Sequence, residues 1–105
     1  MIARIWRGWT TPAHASKYEK LLLEEIFPGI ARLNIPGYHG ISLLKRAHED
    51  EVEFVTIMWF DGLDPVRAFA GEDYEVAVVP PKARKLLSRF DACSTHFEAI
   101  LSLFF

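Results

Sequence analysis

The sequence is poor in the residues that many structural and catalytic devices need. It contains one cysteine, Cys93, one asparagine, Asn34, and no glutamine. A lone thiol cannot close an intrachain disulfide or build a thiolate metal site, and it fits a reducing compartment. With so few side-chain amides, little neutral hydrogen-bonding chemistry is available to orient a polar substrate. The longest apolar run, "AILSLFF", is far shorter than the roughly 20 residues that span a bilayer. Arg4 and Arg7 interrupt "MIARIWRGWTTP", which therefore lacks the continuous apolar stretch of a signal peptide. A cytoplasmic protein without a membrane partner is expected. No glycine-rich phosphate loop, dinucleotide fingerprint or Ser-His-Asp order is present.

Charge excludes another class. Twelve Lys and Arg against 14 Asp and Glu give a net charge of −2. The basic residues are spread along the chain, so no patch for nucleic acid is expected. What the chain does have is core material: 50% of its 105 residues are hydrophobic. A single domain over 1–105 of that size buries roughly two thirds of its unfolded surface.

The order of elements follows from periodicity. Residues 2–10, rich in β-branched and aromatic side chains, read as strand 1. Thr11-Pro12 starts a helix, with a cap and a proline at the first position. Ala15, Tyr18, Leu22, Ile26, Ile30 and Leu33 recur at steps of three or four and mark its buried stripe. Pro28-Gly29 predicts a kink or a second short helix. Residues 38–47 and 52–61 read as strands 2 and 3 about the polar turn "HEDE". Asp64 and Pro65 predict the start of another helix, Pro81 to about Ser88 a further one, and 91–100 the last strand. The predicted fold is α+β, a ferredoxin-like βαββαβ: a four-stranded antiparallel sheet with helices on one face.

A half-solvated sheet should alternate apolar and polar residues. Strand 3 does not: one parity carries Val55, Ile57 and Trp59, the other Val52, Phe54, Met58 and Phe60. Strand 1 behaves alike, with Ala3, Ile5 and Trp9 against Ile2 and Trp6. A bare apolar face of that extent predicts a second copy packed sheet against sheet, a homodimer.

The stretches "MIARIWRGWT", "IPGYHGISLLKR", "EFVTIMWFDGLDPVRAFAGED", "VPPKARKLLSRFD" and "THFE" span nearly the whole chain. Together they resemble the antibiotic biosynthesis monooxygenase-like (ABM) family of dimeric α+β barrels. The resemblance implies a pocket between helices and sheet in each subunit, and members include cofactor-independent oxygenases of polyketide-type phenols and haem-degrading oxygenases. The haem-degrading branch is similar at Trp59, but pairs its tryptophan with a strand 1 asparagine and a histidine on the following helix. Here the sole asparagine is Asn34, and the position ten residues after Trp59 is Phe69. Haem degradation by that mechanism is therefore not expected, and no cofactor is.

Each candidate residue has a functional and a structural reading. Trp59, Phe69, Trp6 and Trp9 could line an aromatic site by stacking, or serve as core. Arg7 could hold a carboxylate or enolate, or form an inter-subunit ion pair. Imidazole titrates near neutrality, so His96 and His39 could act as the general base that turns a phenol into an oxygen-reactive anion; otherwise they are surface or interface histidines. "HEDE" is contiguous in a turn and no metal site is expected there. Cys93 reads as a small buried apolar residue.

Two functions from different classes follow. One is an ABM-like, cofactor-independent monooxygenase acting on a small aromatic or apolar ligand. The other is a non-catalytic dimeric domain with a ligand-binding, stress or regulatory role. An enclosed apolar cavity of roughly 300 Å³ or more, with a His, Arg or Tyr pointing inward, favours the enzyme. Rings of Trp59 and Phe69 that fill the space favour the second.

Overall fold

A computed structural model describes residues 1–104 of the chain. Its strands are β1 (Ile2–Thr10), β2 (Tyr38–Ala47), β3 (Val52–Phe60), β4 (Leu87–Phe90) and β5 (Thr95–Glu98). The helices are α1 (Pro12–Leu21), α2 (Phe27–Arg32), α3 (Leu63–Ala70) and α4 (Pro81–Leu86). The sheet runs β2-β3-β1-β4 with β5 also on β1, and every pairing is antiparallel. Because β3 pairs with β1 from Ile2 to Thr10, β4 and β5 must share the opposite edge. They are two halves of one broken fourth strand. The arrangement is the expected α+β, ferredoxin-like one.

Local chemistry sets the helix boundaries. The Thr11 hydroxyl accepts a hydrogen bond from the His14 amide at 3.2 Å, with Pro12 at the first helical position. Instead of stopping at Pro28-Gly29, the helix passes through a π-helical turn at Leu22–Ile26, and the Phe27 amide bonds to Leu22 O. Proline cannot donate to the preceding turn, and a widened turn just before it accommodates the ring. α3 starts at Leu63 after an extended Gly62. Asp64, which with Pro65 marked the expected start, lies in the first turn and pairs with Arg67 at 3.3 Å.

The end of the chain differs most from expectation. α4 stops at Leu86 and strand begins at Leu87, before the predicted start at 91. The strand then breaks. Across the break the Ala77 amide bonds to Ala92 O at 2.9 Å and the Ser94 amide to Glu75 O at 2.7 Å. Cys93 falls in this interruption and is exposed, which corrects its reading as a buried residue.

The helices cover one face of the sheet. Tyr18, Leu22, Val52, Phe54, Val79 and Ala83 form one buried cluster, and Met58, Phe60 and Val66 a second. Tyr18 meets Phe54 edge-on, with ring centres 5.0 Å apart. On the other face Ala3, Ile5, Arg7 and Trp9 of β1 stand opposite Trp59, Ile57, Val55 and Glu53 of β3. Leu44 of β2 and Phe97 of β5 extend this surface and are about half exposed, at 49% and 54%. Both faces of the central strands are thus apolar. Among the described residues no helix is long and apolar enough to cross a membrane.

Candidate functional site

Between helices and sheet lies a chamber of about 60 Å³, room for a few water-sized groups. β1 and β3 supply its floor with Arg4, Trp6, Thr56 and Met58; α1, α2 and the π-helical turn between them supply Tyr18, Leu22, Ile26 and Ile30; α3 supplies Phe69. Ser94, from the strand break, also reaches it. Ile26, Ile30, Phe69, Val78 and Pro80 line both this chamber and a surface groove of about 650 Å³. The two spaces therefore adjoin, narrow inside and wide outside. The chamber alone is smaller than the roughly 300 Å³ set as the mark of an enzyme cavity.

Among the described residues the chamber is lined by one charged residue, Arg4. Arg4 is 3% exposed. Its Nη1 donates to Tyr74 O and stands 3.0 Å from His96 Nε2, while Nη2 donates to Val76 O at 3.2 Å. The guanidinium lies 5.6 Å from the centre of the Phe69 ring. All these partners are neutral when His96 is neutral. Burial lowers the Arg4 pKa, and no carboxylate pairs with it among the described residues. A buried charge without a counter-ion is costly, so this is an unusual residue for a core to hold.

His96 faces Arg4 in the β1–β5 register and meets Tyr74 edge-on at 5.2 Å. Burial, and then the Arg4 charge, hold its pKa below the usual value, with Glu75 acting in the opposite direction. The neutral imidazole accepts from Arg4 through Nε2, so His96 orients the guanidinium and does not itself line the chamber.

The other sequence candidates are divided by the sheet. Phe69 and Trp6 line the chamber; the Trp6 indole donates to Asp91 O at 2.7 Å. Trp59 stands opposite Ala3 on the far face, so it and Phe69 do not wall one pocket within a subunit. Trp9 is also on the far face, with the Arg89 and Arg7 guanidiniums 3.9 and 5.4 Å from its ring centre. Arg7 pairs with Asp91 at 3.2 Å. His39 is exposed, 2.5 Å from Asp61, and lines a separate surface depression. No three His, Cys, Asp or Glu side chains converge on a metal position among the described residues. Sequence reasoning passed over Arg4, Thr56 and Ser94. For Arg4 a signal existed: it shares the core-facing parity of Ile2 and Trp6.

No protein-family model matches the chain, and no curated protein does. Solved structures do. The haem-degrader MhuD from Mycobacterium tuberculosis, with two haems bound in its active site, aligns over 98% of this chain and 99% of its own, at TM-score 0.56 and 21% identity. A substituted MhuD with two manganese protoporphyrin IX bound per active site aligns over 98% of each chain, at TM-score 0.57 and 21% identity. The chain shares the α+β fold of these structures.

Whether its residues suit a haem is a separate matter. Haem iron is commonly held by imidazole, thiolate or tyrosinate. Among the described residues, neither the chamber nor the groove is lined by His or Cys. The Tyr18 phenol is buried, which raises its pKa and keeps it protonated. Phe69 presents a phenyl ring. These residues do not fit haem ligation.

Proposed function

We propose that this ABM-like chain forms a homodimer through the outer sheet face and binds a small aromatic or otherwise apolar molecule on the helix side. The observation that carries the reading is the buried Arg4, among the described residues the single charged one lining a mostly apolar chamber that adjoins a mostly apolar groove. Apolar walls supply affinity by desolvation, and one placed polar group fixes orientation. Dimerisation rests on the apolar outer face, where Ile57 lies between Ile5 and Ser42 in the strand register. Titration with aromatic ligands, followed through Trp6 fluorescence, tests the binding. A saturable change is expected, and Ile30→Trp, which narrows the passage from groove to chamber, should weaken it.

A second reading is cofactor-independent oxygenation of an aromatic ligand in the same site. The Arg4–His96 pair favours it, because a fixed cation stabilises the phenolate or enolate that such chemistry passes through. Among the described residues lining the chamber there is no histidine or carboxylate to serve as base, which is why binding is placed first. Oxygen uptake with dihydroxyanthracene-type phenols that depends on His96 or Arg4 would place catalysis first. Uptake unchanged in His96→Ala, His39→Ala and Arg4→Met would remove this second reading.

A further inference from the structure

The chamber is small and holds one buried charge, Arg4, and the groove beside it is wide and mostly apolar. We propose that the ligand is an apolar carboxylic acid, its carboxylate on Arg4 and its hydrocarbon or aryl body in the groove. The assignment rests on the binding reading above and specifies the chemical class that the site takes.

Charge makes the first part of the case. Arg4 is 3% exposed and its polar contacts are two backbone carbonyls and one imidazole. No carboxylate of the described chain lies within 4.0 Å of it, whereas Arg7, Arg46, Arg67 and Arg89 each have one. Glu75, between the two residues whose carbonyls hold Arg4, is exposed, and its charge is felt at His96. Arg4 thus stands as a buried cation whose counter-charge is left to come from outside the chain. Guanidinium favours planar oxyanions, which it binds with paired, charge-assisted hydrogen bonds.

Shape makes the second part. A space of about 60 Å³ admits a compact group such as a carboxylate and excludes a ring system. The adjoining groove of about 650 Å³ is lined by Leu21, Ile26, Ile30, Leu33, Phe69 and Val78 among others, which suits an extended or aryl body. Its rim carries Lys82 and Glu25, which pair with each other at 2.6 Å, so among the described residues Arg4 is the unpaired charge of the combined space. Thr56 and Ser94 also line the chamber, and both carry hydroxyls of the type that donates to a carboxylate oxygen.

The test compares acids with the alcohols of the same skeleton. Octanoate against octan-1-ol, and 4-phenylbutanoate against 4-phenylbutan-1-ol, are titrated into the intact chain by calorimetry at pH 7.5. The acids should bind about ten- to a hundredfold more tightly. Arg4→Met should abolish that preference, since it keeps length and apolar character and removes the charge. Val78→Trp, at an exposed position shared by chamber and groove, should weaken acid binding at least tenfold without touching Arg4. It keeps the test open if Arg4→Met does not fold. Equal binding of acid and alcohol, or a preference that survives Arg4→Met, overturns the acid assignment and leaves the binding reading standing. Binding of neither class at millimolar concentration overturns both.

Discussion

Arg4 Nη1 lies 3.0 Å from His96 Nε2, across the register pair that joins β1 to β5. The contact requires a neutral imidazole as acceptor, and burial together with the Arg4 charge supplies one by lowering the His96 pKa from 6.5. Between the lowered value and 6.5 the unfolded chain binds more protons than the folded one, so stability rises with pH there. The contribution is fully present above about pH 6.5 and is lost as pH falls through the folded-state value. Thermal unfolding from pH 5 to 8 should show this decline, and His96→Gln, which keeps an acceptor but cannot titrate, should flatten it. A curve of the same shape in both proteins would remove His96 from the account.

The outer face gives the second prediction. Ile57→Lys puts a charge among Ile5, Ser42 and the neighbouring apolar side chains of that face. Sedimentation at micromolar concentration should show a dimer for the parent chain and a folded monomer for the variant, because an unpaired lysine cannot be buried cheaply. A parent chain that sediments as a single well-folded subunit would defeat the proposed assembly.

Phe54 is fully buried and packs against Tyr18. Phe54→Ala should cost about 3–5 kcal/mol of stability, the usual result of emptying an aromatic site in a packed core. Urea unfolding measures it. A loss below about 1 kcal/mol would mean that this cluster is not the main core.

Gly8 is set by the ring of Trp6. A Cβ at position 8 would lie 2.9 Å from the Trp6 Cη2 and 3.0 Å from a Leu87 methyl. Gly8→Ala should therefore displace the indole that lines the chamber, at a cost of about 1–3 kcal/mol, and shift the fluorescence of the folded state. Unchanged stability and emission would show that Trp6 has room to move.

Much of this fold could be read from residue order. Thr11-Pro12 announces a helix because side-chain capping and a fixed φ act locally. Apolar residues on both parities of 52–60 announced a central strand with two apolar faces. The π-helical turn before Pro28 was not legible, since several local distortions relieve the same missing N–H. The strand at 87–90 was missed because "KLLSRF" has an apolar spacing that suits a short helix equally well. Only pairing with Gly8 and Trp9 decides it. The candidate site was the least legible part. Trp59 and Phe69 are ten residues apart in sequence, and spacing alone does not say on which side of a sheet each ring falls. Arg4 carries no motif at all; its meaning comes from tertiary burial and from the carbonyls of Tyr74 and Val76, seventy residues and more away.

The interruption between β4 and β5 has a consequence for how the molecule behaves in a crowd. Where strand hydrogen bonding lapses, residues 75–77 bond back to 92–94, so this margin of the sheet offers no long ladder of free amides and carbonyls. The opposite margin is β2, which carries Lys45 and Arg46. Short broken edges and edge cations are the features that stop sheets from growing into fibrils. A chain with this much exposed hydrocarbon should therefore self-associate face to face and resist edge-on stacking.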